Sequence, residues 1–198
     1  MANVVKNKGF EVISNTRPEF QQTFFCDDSA AVSPGDIVTL DSSTSDGSDA
    51  LGLPKCKRWA DNDVPLGVVQ SVDPFKGISA ANLSFTRTHK PASLDMYIHV
   101  NTDPNAVMLA QDDGNTLSSG DISSNADITA GTANSDGLSR MKIAGSSVAT
   151  TNTLPLNVLR AYQTDQYTPF AANGLYVVTW NIHQYKGDTG ATGSTANT

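Results

Sequence analysis

Eighteen of the twenty acidic side chains are Asp, and only Glu11 and Glu19 are Glu. This skew constrains the fold more than any motif in the chain. Glu supports helices, whereas Asp, Asn, Ser and Thr compete for backbone hydrogen bonds and belong in turns, caps and sheets. These four types supply 73 of the 198 residues, so a mostly helical fold is not expected. At 17% charged residues the chain lies below the roughly 25% of an average globular protein. At 38% hydrophobic it is too apolar to be wholly disordered. Its length allows one or two domains and a core that needs no disulfide staples.

Residues 1–32 read as an extended N-terminal arm. Gly9–Ile13 has the character of a short strand, which Arg17-Pro18 ends. Phe20, Phe24 and Phe25 then place three of the seven Phe residues within six positions. These rings are the candidate contacts to a neighbouring subunit, because clustered aromatics make strong interface anchors. The sequence leaves open whether they do that or complete the chain's own core.

From Ser33 the punctuation becomes regular. Ser33-Pro34-Gly35-Asp36 is turn chemistry, followed by the β-branched run Ile37–Leu40. A Ser/Asp/Gly loop spans Asp41 to Asp49. Lys55–Trp59 alternates, Pro65–Val72 reads as a strand, and Gly67 within it marks a bulge or a close backbone approach. Asn82–Thr88 and Leu94–Val100 alternate cleanly. The stretch Gln111 to Asn134 is polar, with isolated Leu117, Ile122 and Ile128, and reads as a long excursion holding at most one helical turn near Asp121. Order is expected again at Leu138–Ile143 and at Pro155–Tyr162, where Leu156, Val158 and Arg160 share one face and Asn157, Leu159 and Ala161 the other. Gly174–His183 carries a continuous apolar middle, which places it centrally in a sheet. The fold expected is mainly β, a small barrel or sandwich of short strands with long polar loops. The body spans residues 33–185 and is divisible into 33–100 and 101–185. Residues 186–198 read as a flexible polar tail. Gly187, Gly190 and Gly193 stand at every third position, the spacing of a collagen axis, but two triplets without proline cannot hold a triple helix.

The net charge of −7 is uneven, since residues 101–138 hold six Asp and no Lys or Arg. An acidic surface repels phosphate, so neither nucleic acid nor an anionic membrane is an expected partner. Met1–Lys6 holds no apolar run of signal-peptide length, and no stretch approaches the roughly 18 apolar residues of a membrane span. Cys26 and Cys56 read as reduced, partly buried thiols. His89, His99 and His183 have no local metal-ligand spacing with either cysteine. Asn101, Asp103, Asn105 and Asp112 mimic part of an EF-hand register, but Ala106 stands where the turn glycine belongs and Asp112 where the bidentate Glu belongs, so an Asx-rich turn explains them better. His183, beside Trp180 and Tyr185, reads as a structural hydrogen-bonder. Asn82-Leu83-Ser84 matches a glycosylation sequon by pattern alone. No nucleophile elbow, P-loop, dinucleotide fingerprint or zinc-protease helix is present, so no enzyme, metal or cofactor is expected.

Two stretches resemble the head decoration (cement, or capsid-stabilising) proteins of tailed bacteriophages. The first is Pro34-Gly35-Asp36 with Ile37–Leu40, followed by Lys55–Ala60 and Pro65–Val69, similar to that family's small β-domain. The second comprises Ala126–Ile128, Gly137–Met141, Thr150–Leu159 and Val177–Tyr185, similar to phage structural proteins. The resemblance implies a homo-oligomer, a trimer by preference, on the outer surface of the capsid. It would be made in the host cytoplasm and would bridge neighbouring subunits of the major capsid protein through many modest contacts. It implies no site-residue motif. A head-fibre base, a tail component or an adhesin-like host-contact protein is the alternative, supported by the Gly-triplet tail and the Thr/Ser/Asn-rich loops.

Overall fold

The computed structural model describes residues 3–14, 17–27, 29–41, 48–73, 87–133, 136–186, 190, 191 and 193. Within these residues the chain is mainly β. Its strands are β1 (Glu11–Val12), β2 (Gln21–Cys26), β3 (Ile37–Leu40), β4 (Lys55–Arg58), β5 (Gly67–Val72), β6 (Met96–Asn101), β7 (Val107–Gln111), β8 (Asn125–Thr129), β9 (Lys142–Ala149), β10 (Leu156–Ala161) and β11 (Leu175–Trp180). Short 3-10 turns stand at Pro18–Phe20 and Ser119–Asp121.

Five strands close a barrel in the order β2-β4-β3-β5-β6, with β6 pairing back onto β2. Alternation fills its interior with Phe24, Cys26, Val38, Cys56, Val69, Ile98 and Val100. A barrel of this size is packed solid by its own side chains. The remaining strands form a six-stranded sheet in the order β1-β7-β11-β10-β8-β9. This sheet curls until Asp112, just beyond β7, bridges Ile143 of β9. Its concave face packs Met108, Ile128, Ile143, Leu156, Val158, Tyr176, Val178 and Trp180 into one cluster with Ile37, Trp59 and Val68, which the barrel turns outward. The main core therefore lies between the two units.

One turn holds that junction in place. Asp36 N–H donates to Ser33 O at 2.9 Å, and Gly35 sits at φ +87°, so Pro34 and Gly35 occupy the central positions of a type II turn. Gly35 O accepts Phe10 N–H from beside β1, and Gly35 N–H donates to Val69 O of β5. The buried Asp36 carboxylate accepts from Ser33 N–H (2.9 Å) and from the Ser139 hydroxyl (2.6 Å), and it pairs with Arg58 Nε at 3.4 Å. Arg58 in turn donates to the carbonyls of Ala130 and Gly131, beyond β8. Burial raises the Asp36 pKa, and the Arg58 charge and these hydrogen bonds act against that rise.

A second buried carboxylate organises the sheet. Asp112 accepts three backbone N–H groups, those of Gly114, Asn173 and Gly174, at 2.7–2.9 Å. Next to it Gln111 holds residues 4–6: its Nε2 donates to Val4 O and Asn173 O, and its Oε1 accepts Lys6 N–H. The Tyr167 hydroxyl also donates to Val4 O.

Three expectations change. Residues 125–129 form β8 inside the stretch expected as an irregular excursion, because Ala126 and Ile128 reach the core at alternate positions. Residues 107–111 form a strand that the reading of Asn101–Asp112 as an Asx turn did not include. A bulge at Leu159 shifts the register of β10, so Arg160 pairs with Val177 on the outer face and Ala161 packs on the core, opposite to a simple alternation. The strand expected over 82–88 lies outside the described residues except at its end, as do most of the loop 41–49 and most of the tail.

Gly35 and Gly52 both hold positive φ, but a Cβ on Gly35 would sit 2.0 Å from Lys8 O whereas one on Gly52 meets nothing within 4 Å. Gly52→Ala is expected to cost about 1–2 kcal/mol from backbone strain alone. Gly35→Ala is expected to cost at least twice that, read from urea unfolding of the two variants side by side, and equal costs would refute the junction's dependence on this approach.

Candidate functional site

The three candidate contact rings occupy different environments. Phe24 is fully buried inside the barrel. Phe25, its neighbour on β2, points outward, where its ring lies 5.2 Å from that of Tyr97 and 6.0 Å from Lys55 Nζ. Lys55 also pairs with Asp27 at 3.3 Å. Phe20 is half-buried in the 3-10 turn, and its carbonyl accepts both the N–H (2.8 Å) and the hydroxyl (3.1 Å) of Thr102. The structure thus gathers no single aromatic patch from these residues.

The six Asp of residues 101–138 are all hydrogen-bonded within the chain. Asp103 accepts Asn105 N–H while Asn101 accepts Asp103 N–H, which makes the EF-hand-like string a pair of Asx turns. Asp113 accepts Asn115 N–H, Gly145 N–H and the Thr129 hydroxyl. Asp121 caps the Ser118 turn, Asp127 accepts Ile128 N–H, and Asp136 accepts Leu138 N–H and pairs with Arg140. Burial raises the pKa of Asp112 and Asp127. Among the described residues no group of three or more His, Cys, Asp or Glu stands close enough to hold a metal.

His183 is fully buried at the junction, its ring centroid 5.5 Å from that of Trp180 and 5.7 Å from that of Tyr185. Tyr185 N–H donates to His183 Nδ1 at 3.1 Å, so the neutral ring carries its proton on Nε2. Its pKa falls to about 4, because burial penalises the imidazolium and the Lys186 ammonium adds to that, while the Leu66 backbone and Asp103 act in the opposite sense. Next in the chain, Gln184 N–H donates to Pro65 O, fastening the segment after β11 onto the barrel.

The convex face of the sheet carries a second row of apolar residues. The residues of β7 and β11 that alternate with the core set are Val107, Leu109, Leu175, Val177 and Thr179. Ile13, aligned with Val107, is 44% exposed, and Leu159, in the β10 bulge, is 39% exposed. Val177 and Leu175 are themselves buried, at 1% and 6% exposure, and Val107, Leu109 and Thr179 are half-buried, so this apolar band meets solvent at Ile13 and Leu159, beside Glu11 and Arg160. Sequence reading missed this band because β7 went unrecognised and the bulge reverses the expected outer face of β10. The chain matches no protein-family model and no curated protein.

Two outcomes follow. Phe24→Ala is expected to cost roughly 3–5 kcal/mol in urea unfolding and Phe25→Ala under half of that; similar costs would place both rings in one environment. For His183 the folded pKa lies below the free value of 6.5, so the unfolded chain takes up the proton first as pH falls. Stability is therefore full above pH 6.5 and drops by up to about 3 kcal/mol on acidification to pH 4. His183→Gln should flatten that part of the profile, and an unchanged slope would assign it to other groups.

Proposed function

We propose that this chain is a structural virion protein that binds the outer surface of a tailed-phage capsid and stabilises the head by bridging neighbouring major capsid subunits as a homo-oligomer. The apolar band on the convex sheet face carries the proposal. Ile13 and Leu159 stand exposed at its two sides, with the half-buried Val107 and Leu109 and the buried Val177 between them, so these two side chains are the contact positions the reading uses. Support also comes from the resemblance of the Pro34–Leu40 turn and strand to the decoration family's β-domain. In this reading the junction turn keeps barrel and sheet at a fixed relation, so that one rigid body spans two shell subunits. Modest contacts then sum over the many copies on a head.

Expanded, empty heads are the probe. The purified protein should co-sediment with them at a saturable stoichiometry and raise their melting temperature, and absence of co-sedimentation would sink the proposal. The double variant Ile13→Glu with Leu159→Glu changes two exposed positions and should keep the fold. It should bind heads at least about tenfold more weakly, the loss expected when two apolar contacts of about 1 kcal/mol or more each disappear. Full binding by this variant would move the contact to another face.

A further inference from the structure

Cys26 and Cys56 are register partners across the parallel seam where β2 meets β4. Both are fully buried and belong to the cluster inside the barrel, and neither forms a disulfide in the structure. Register partners project to the same side of a sheet, so the two sulfurs face one interior layer. Met96, the register partner of Cys26 on β6 and also fully buried, flanks Cys26 in the same layer on the side away from Cys56. Adjacent strands lie about 4.7–4.9 Å apart, inside the roughly 4.4–6.8 Å span of Cα positions across which a disulfide closes without moving the backbone. The seam is short, since two register pairs join β2 to β4 whereas six join β2 to β6. Local opening at a short pairing admits a small reagent more readily than global unfolding does.

We propose that Cys26 and Cys56 form a latent redox site that closes to a disulfide and staples the N-terminal barrel strand to β4. The oxidant is a small-molecule disulfide such as oxidised glutathione. The thiolate of one cysteine attacks a sulfur of that disulfide and one glutathione thiolate leaves. The second protein thiolate then attacks the mixed disulfide at the protein sulfur and releases the second glutathione. The two protein thiols lose two electrons, the glutathione disulfide gains them, and the two protons end on the released thiols. The bond ties together chain positions separated by the whole β3 hairpin, which restricts the unfolded chain and so raises stability. On the capsid reading the pair stays reduced in the host cytoplasm and closes after release into an oxidising medium, but the site stands independently of that reading.

The test uses the full-length protein held under native conditions with oxidised glutathione. The expected result is an intact mass lower by two hydrogens, a cross-linked peptide pair containing Cys26 and Cys56 in an unreduced digest, and a Tm higher by roughly 5–10 °C that dithiothreitol reverses. Cys26→Ser and Cys56→Ser should each abolish the mass loss and the oxidant-dependent rise in Tm. Retention of both thiols after prolonged exposure, stable glutathione adducts in place of the internal bond, or a lower Tm on closure would each overturn the proposal. The mass and the peptide map are read on the unsubstituted chain, so the test holds even if a serine variant folds poorly.

Discussion

The carboxylate of Asp36 is the constraint on which the two units depend. Its fixed position follows from the Pro34–Gly35 turn, and its partners come from three places: the turn itself, β4 through Arg58, and the segment before β9 through Ser139. An ion in a low-dielectric junction is tolerated only when its lone pairs are satisfied, and a half-satisfied arrangement is worse than an apolar one. The arrangement therefore acts less as glue than as a gauge: barrel and sheet meet in the one relation that satisfies every donor. The apolar contacts of Ile37, Trp59 and Val68 with the sheet supply the bulk of the attraction, which is non-directional and does not by itself choose that relation.

The Asp-rich composition takes on a different meaning in three dimensions. In residues 101–138 the carboxylates serve as acceptors for turns and strand ends, and two of them, Asp103 and Asp112, are buried. Asp suits this work because its short side chain reaches backbone N–H groups one to three residues away, whereas the longer Glu gives up more rotamer freedom to do so. The skew of Asp over Glu is the signature of a chain whose polar loops are internally braced.

Much of the local structure was legible. Ile37–Leu40 is a strand with the boundaries its β-branched run indicates, its opening turn is the one that Pro34-Gly35 implies, and the apolar Leu175–Trp180 strand lies between two neighbours in its sheet. At Gly67 the close backbone approach is real, with Asn101 O where a Cβ would be, while the bulge in β5 falls three residues later, at Gln70. Non-local pairing was not legible. Nothing in Gln21–Cys26 announces that it lies antiparallel to Met96–Asn101 and parallel to Lys55–Arg58, because register is set by partners far away in sequence. The strand at 125–129 was hidden by Asn125, Ala126 and Asp127, residues of low β-propensity that these positions tolerate because burial in the core decides, and the one at 107–111 shows no apolar–polar alternation and follows directly on the Asx-rich turn. The convex apolar band depends on one of those strands and on the β10 bulge, so it was hidden with them.

β1 and β7 are antiparallel neighbours, yet the entire barrel lies between them in sequence. In terms of connectivity they form a hairpin whose loop is a second folded unit. That unit begins and ends at one place, because Thr102, just past β6, donates two hydrogen bonds to Phe20, just before β2. Entry and exit are thus held side by side, at the spacing an ordinary turn would provide. The sheet's register is consequently indifferent to how much chain the loop contains, so barrel loops away from Asp36, Ile37, Trp59 and Val68 have room to lengthen or shorten while the sheet keeps every pairing.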